Sequence, residues 1–302
     1  MKIAITGASG LIGGALVPRL REDGHEVVRL VRRTPRTTDE HRWDPHHRRI
    51  DPAVLADVDA VINLAGEPIR PRPWTPAYKQ RLLTSRLDAT TTISEALAAA
   101  AAADPTRPRI LLSSSAIGYY GDTGDRPIEE TEPPGTDFLA GLCARWEGAT
   151  APAEDARVRV VLLRSGLVIG RGAMLMQVLG LLFRAGLGGR LGSGRQYWPW
   201  ISLRDEVDAI LFLLGADVSG PVNLTAPTPV TNAEFTRELG RVVHRPTVLP
   251  VPGFVLSATL GEFARSSVLG GQRAQSSKLT GAGFTFTHTS LEQALREALA
   301  RP

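Results

Sequence analysis

The chain holds a single cysteine, Cys143, in 302 residues. That excludes a disulfide within the chain and any metal cluster built on cysteines, and it fits a reducing, cytoplasmic setting. No apolar run approaches the roughly eighteen residues that a membrane span needs. No run of five or more like charges occurs either. The net charge of +4 comes from scattered arginines, which argues against a nucleic-acid surface and is compatible with a local site for an anionic cofactor. The first strand signal begins at residue 2 and leaves no room for a secretory signal. His41, His46 and His47 fall in a polar, proline-containing stretch, residues 34–52, without nearby cysteine or a helical i, i+4 pair. It reads as a solvated loop with one short strand around Arg42–Asp44, and no metal is expected. With 43% hydrophobic and 22% charged residues, the remainder has the balance of an ordinary globular protein. Its length suffices for two domains or one enlarged one.

The most informative stretch is residues 1–33. Lys2–Thr6 reads as a buried strand, and Gly7-Ala8-Ser9-Gly10-Leu11-Ile12-Gly13 follows as a turn. Residues 11–23 then carry Leu11, Ile12, Ala15, Leu16 and Leu20 at helical spacing, Gly24 closes the helix, and residues 25–31 form a second strand. Strand, glycine turn, helix and strand in this order open a dinucleotide-binding fold. Gly7 lets the chain turn sharply, Gly10 lets backbone N–H groups approach a pyrophosphate, and Gly13 lets the helix pack on the sheet, with the pyrophosphate at the positive end of the helix dipole. Ser9, Leu11 and Ile12 fall in the same cradle. The second strand ends in Arg32-Arg33, without the carboxylate that would bind the ribose hydroxyls of NAD. Two guanidiniums there suit a 2′-phosphate, so the expected cofactor is NADP(H).

Further along, Ala60–Leu64 is a buried strand, and Ala65-Gly66 is the turn at its carboxyl end, where ligands bind in open α/β sheets. Glu67 follows, either in a pocket or as the first exposed loop residue. Residues 77–103 have a long helical pattern containing Arg86. Residues 109–116 form a strand that runs into Ser113, Ser114 and Ser115, with Tyr119-Tyr120-Gly121 just beyond. Residues 157–169 read as one strand and Met174–Arg184 as a helix. A glycine-rich loop, residues 186–194, leads to Arg195, Gln196, Tyr197 and Trp200, which offer stacking faces and hydrogen-bond donors to a substrate or else pack a structural hairpin. Asp205 starts another helix, and residues 220–225 form a strand.

The G-x-x-G-x-x-G spacing resembles the short-chain dehydrogenase/reductase (SDR) superfamily, and specifically its extended, epimerase-like branch. Together with Gly66-Glu67, Tyr119-Tyr120-Gly121, Phe138-Leu139…Trp146-Glu147, Gly192–Gln196 and Trp200–Asp205, it resembles the atypical extended epimerase-family proteins: sugar-nucleotide-epimerase-like chains with a C-terminal domain of unknown function. The resemblance covers nearly the whole chain.

It implies a doubly wound parallel α/β sheet with an NADP-binding Rossmann domain over residues 1–165, completed by parts of 200–226, and a smaller substrate lobe over 166–302. Leu64, Ala65, Gly66, Arg86 and Ser113 join the cofactor-binding set. Ser115 is the best match to the serine whose hydroxyl bonds the reacting group, with Ser114 next. The superfamily's Tyr-x-x-x-Lys pair is missing: aligning on Glu147 puts Leu139 at the tyrosine and Cys143 at the lysine, and no tyrosine or lysine lies between Tyr120 and Tyr197 to rescue it. Tyr120, Tyr119 and Glu67 are the candidates to move a proton instead. The expectation is an NADP(H)-dependent, epimerase-like oxidoreductase acting on a small substrate, a sugar nucleotide among the candidates. The rival is an NADP(H)-binding regulator or redox sensor with little turnover. A monomer or homodimer is expected, with no nucleic-acid or membrane partner.

Overall fold

In a computed structural model, which describes residues 1–300, eight strands form one sheet. They are β1 (Lys2–Thr6), β2 (Glu26–Val31), β3 (Glu40–Asp44), β4 (Arg49–Ile50), β5 (Ala60–Asn63), β6 (Ile110–Ala116), β7 (Arg159–Ser165) and β8 (Gly220–Leu224). Their spatial order is β8-β7-β6-β5-β1-β2-β3-β4, parallel except for the β3–β4 edge. A parallel sheet must be covered on both sides, and the strand sequences are apolar on both. Ile3, Ile5, Leu112, Val161 and Leu163 enter one core, together with α1 (Leu11–Glu22) and the later helix Leu203–Gly215. Ala4, Leu111, Val160 and Leu162 enter the opposite core, with Ala89, Ile93 and Leu97 of α2 (Pro76–Ala103). The two-residue period of the strands separates the layers. A second helix on the α2 side, α3 (Phe138–Gly148), packs Leu139, Leu142, Cys143 and Trp146 against Tyr78, Leu82 and Leu83.

Two stretches differ from the sequence reading. Residues 34–52 supply two strands, because Arg29 and Arg33 bind Asp39 and Glu40 and thereby dock β3 beside β2, with Trp43 buried beneath. The strand expected over 157–169 is broken at Gly166. The Gly166 N–H bonds Leu224, whereas Leu167 N–H turns to Pro199 at 2.7 Å. Leu167–Ile169 therefore leaves the main sheet and pairs with Trp200–Ser202.

The C-terminal lobe gathers α4 (Met174–Arg184) and the helices Asn232–Val242 and Leu291–Leu299 around Trp198, Trp200, Phe235 and Leu295. A short parallel pair, Arg273–Ala274 with Pro127–Ile128, ties the lobe to the loop after β6. Among the described residues, no helix is long and apolar enough to cross a membrane.

Candidate functional site

The carboxyl ends of β1, β5, β6 and β7 lie side by side, with Thr6 opposite Asn63, Asn63 opposite Ser113, and Ser115 opposite Arg164. Gly7 leaves β1 at φ +68°, which suits glycine. Gly10 N–H then closes on the Gly7 carbonyl at 2.9 Å. The α1 N-terminus has no side-chain cap, and Gly14 supplies its first N–H to reach a carbonyl, that of Gly10. The N–H groups of Leu11, Ile12 and Gly13 have no acceptor among the described residues, and they face the pole where a helix binds anions. A Cβ on Gly13 would lie 2.4 Å from the Gly7 carbonyl oxygen, so the cradle admits no side chain there. Leu64 and Ala65 are fixed by Thr6, whose hydroxyl donates to Asn63 at 2.7 Å and accepts both their N–H groups. Asn63 in turn donates to Thr90 on α2, with Ser113 3.5 Å away.

The two arginines after β2 have different surroundings. Arg33 forms a bidentate pair with the buried Glu40, at 2.7 and 2.6 Å. Arg32 is exposed and makes no hydrogen bond or ion pair among the described residues, so its guanidinium is the one free to meet a phosphate. Ser9 is exposed on the turn itself.

Ser115 and Tyr120 belong to one buried polar network. Ser115 Oγ donates to Glu147 Oε1 at 2.5 Å, and Arg164 donates Nε and Nη2 to the two Glu147 oxygens, both at 2.8 Å. Arg164 Nη1 reaches Tyr120 Oη at 2.8 Å and the Glu130 carbonyl. The Tyr120 hydroxyl donates to Asn223 of β8 at 2.8 Å. Burial pushes the Tyr120 phenol up to about 12, against the pull of Arg164. Burial alone would lower the Arg164 pKa, but the Glu147 bonds and charge outweigh it and hold the guanidinium protonated. Tyr119 is half-buried with Arg164 3.5 Å over its ring. The network therefore joins β6, α3, β7 and β8 across the site floor, and it occupies the hydroxyls of Ser115 and Tyr120. Sequence reasoning missed Arg164 and Asn223. The available signal was a charged residue directly after the apolar run Val160–Leu163, still within the strand.

Leu139 and Cys143, at the motif positions, are both buried in the α2–α3 contact. Burial, with Glu147 nearby, pushes the Cys143 thiol up to about 12, so it carries no charge at neutrality. Arg86 approaches the same place from α2. It is 7% exposed, its carbon lies 4.9 Å over the Trp146 ring, and Nη1 donates to the carbonyls of Glu67 and Leu82. Glu67 is half-buried, and its backbone N–H is held by Ser85.

The four residues expected to face a substrate do not converge. Trp200 is 1% exposed in the lobe core, with its indole N–H on Thr228, and Gln196 is buried with its amide on Leu191 and Val268. Both hold the lobe together: the apolar bulk of Trp200 is most stable inside, and the Gln196 amide is tolerated there because it is hydrogen-bonded. Arg195 is exposed, and Tyr197 is half-buried beneath Arg273. One further acid lies at this edge. Glu206, in the first turn of α5 (Leu203–Gly215), accepts from Ser165 at 2.6 Å, and burial pushes its carboxyl up to about 7.

A Rossmann-type sheet, with a side-chain-free glycine cradle at the first helix and polar groups ranked along its carboxyl edge, defines a dinucleotide-binding protein of the short-chain dehydrogenase/reductase class. The chain belongs to the NAD dependent epimerase/dehydratase family, whose profile matches residues 3–225, and a domain of unknown function, DUF1731, matches residues 251–298. An epimerase family protein of Mycobacterium bovis is 49% identical over 301 residues, covering 99% of this chain and 98% of that one. The crystal structure of human epimerase family protein SDR39U1 with NADPH aligns at TM-score 0.87 and 32% identity, over 99% of both chains. A nucleoside-diphosphate sugar epimerase from Corynebacterium glutamicum aligns at TM-score 0.79 and 34% identity, over 99% of this chain and 58% of that one.

Proposed function

We propose that the chain is an NADPH-dependent, epimerase-like oxidoreductase acting on a small carbonyl or alcohol at the carboxyl edge of the sheet. The observation that carries this reading is the open cradle of Gly7–Gly13 beside the unpaired Arg32, in a chain similar over its whole length to a human protein crystallised with NADPH. The residues fit the cofactor: the Leu11, Ile12 and Gly13 N–H groups would take the pyrophosphate, Arg32 the 2′-phosphate, and Leu64, Ala65 and Gly66 would pass beneath it. Bound there, the cofactor supplies a hydride. The chain's own residues orient it, and the Arg164–Glu147 network keeps the floor rigid. With Ser115 and Tyr120 engaged by Glu147 and Asn223, the proton-bearing candidates without a fixed side-chain acceptor are Tyr119 and Glu67. A sugar nucleotide remains one candidate substrate.

A second reading, an NADPH-binding protein with little turnover, is favoured by one observation: the positions of the usual tyrosine and lysine hold the buried Leu139 and Cys143. The two separate in an assay with NADPH deuterated at the transferable position of C4 and a panel of small aldehydes, ketones and sugar nucleotides. Deuterium appearing in a product, absent without protein, supports the enzyme. Tight NADPH binding with no transfer to any compound supports the second reading, and no NADPH binding overturns both.

A further inference from the structure

Arg86, Arg109 and Arg164 are the buried arginines among the described residues, and they differ in what they touch. Arg164 is saturated by Glu147, Tyr120 and a carbonyl. Arg109 lies at the other end of the sheet and gives Nη1 and Nη2 to four backbone carbonyls, while its Nε is buried without a partner. Arg86 has no carboxylate within ion-pair distance among the described residues, and all its hydrogen bonds leave from Nη1. Its Nε is sealed from water without a partner. No hydrogen bond is made at Nη2 among the described residues. The Nε–Nη2 edge is the side of a guanidinium that fits two oxygens of one anion in parallel.

A buried guanidinium that meets only carbonyls and an indole face is an uncompensated charge. An anion at the free Nε–Nη2 edge would compensate that charge. The ring of Trp146 backs it, and Gly66 faces it: a Cβ there would touch the Arg86 carbon at 3.5 Å and Nε at 3.7 Å. The neighbouring surface is basic as well. Arg70, Arg72 and Arg81 are exposed on the loop and helix turns leading to Arg86, none has an acidic partner among the described residues, and Arg72 and Arg81 flank the Tyr78 ring.

We propose that Arg86 is the anion-holding residue of the second-ligand site, and that the substrate is a small molecule carrying a carboxylate gripped side-on by Nε and Nη2. This rests on the NADPH-binding reading above and adds the substrate's chemical class to it. The cofactor's phosphates are a second source of the same chemistry. They are assigned to the α1 cradle and Arg32, whereas Arg86 lies on α2 against Gly66, which would itself pass beneath the cofactor, so the NADPH arm of the test separates the two sources. The exposed arginines add long-range attraction for an anion approaching this edge.

The test is calorimetric titration of the full chain with oxalate, with and without saturating NADPH, alongside Arg86→Gln and Arg86→Lys. The expected result is oxalate binding to the unmutated protein, weakened about tenfold or more by Arg86→Gln and less by Arg86→Lys, with NADPH affinity changed less than about threefold. Loss of NADPH affinity in Arg86→Gln, with no oxalate binding to the unmutated protein, assigns the anion to the cofactor and overturns the proposal. Should Arg86→Gln fail to fold, a crystal structure of the unmutated protein with NADPH and oxalate decides. A carboxylate within hydrogen-bond reach of Nε and Nη2 supports the proposal, and oxalate elsewhere or absent overturns it. Failure of the NADPH reading shows separately, as absent NADPH binding, and leaves the titration without cofactor as the arm that tests Arg86.

Discussion

Replacing Glu147 by glutamine changes two oxygens into one oxygen and one amide and removes a charge, with little change in volume. In the native protein the Glu147 carboxylate takes two bonds of 2.8 Å from Arg164 and one of 2.5 Å from Ser115. The two side chains of the pair are 8% and 3% exposed. After the substitution the Arg164 charge stays buried, and in either amide orientation one of its N–H donors faces the new NH2 group. Removing one partner of a buried pair costs about 3–5 kcal/mol, a large share of the roughly 5–15 kcal/mol that holds a domain folded. Urea unfolding at pH 7, followed by circular dichroism and tryptophan fluorescence together, should show a lower midpoint with an unchanged slope. The double variant Glu147→Leu/Arg164→Met removes both charges and should lose less than the sum of the single losses. A loss below about 1 kcal/mol for Glu147→Gln would refute the view that this pair is the desolvated brace of the site floor.

Gly13→Ala places a methyl group 2.4 Å from the Gly7 carbonyl oxygen; NADPH affinity measured by fluorescence should fall about tenfold or more, and an unchanged affinity would move the cofactor away from this turn. Glu206 has its folded pKa raised from 4.5 to about 7, so the fold binds a proton that the unfolded chain releases. Its stabilising effect is full below pH 4.5 and is lost as pH rises through 7, up to about 3 kcal/mol. Glu206→Gln should therefore remove most of the fall in melting temperature between pH 5 and pH 8, and an unaltered pH profile would contradict the assignment. Arg32→Ala should erase most of an NADPH-over-NADH preference of about tenfold while leaving NADH binding nearly unchanged, and calorimetry on both cofactors checks it.

The parts of this protein written in local spacing were legible in the sequence. The Gly7–Gly13 turn needs only its own residues and their flanking apolar periods, and Ala60–Gly66 announces a strand end in the same way. What depended on pairing between distant elements was not legible. Arg32 and Arg33 look equivalent in the chain; they separate once β3 docks in register beside β2, with Arg29 opposite Glu40, which brings Glu40 to Arg33. Tyr120 stood out as a phenol near Ser115, but its partner Asn223 is more than a hundred residues away on β8. Trp200 and Gln196 have the composition of a pocket, and tertiary packing places both inside the lobe. Arg86 was visible as a basic residue on a helix, whereas its burial against Trp146 required α2 and α3 to pack.

The central claim is that this sheet edge binds NADPH through the α1 cradle and Arg32. Titration calorimetry of the unmutated protein with NADPH and with NADH tests it most directly. The account predicts saturable binding of both, with NADPH at least about tenfold tighter, a preference of roughly 1.4 kcal/mol. Equal affinities, or no binding of NADPH, would contradict it.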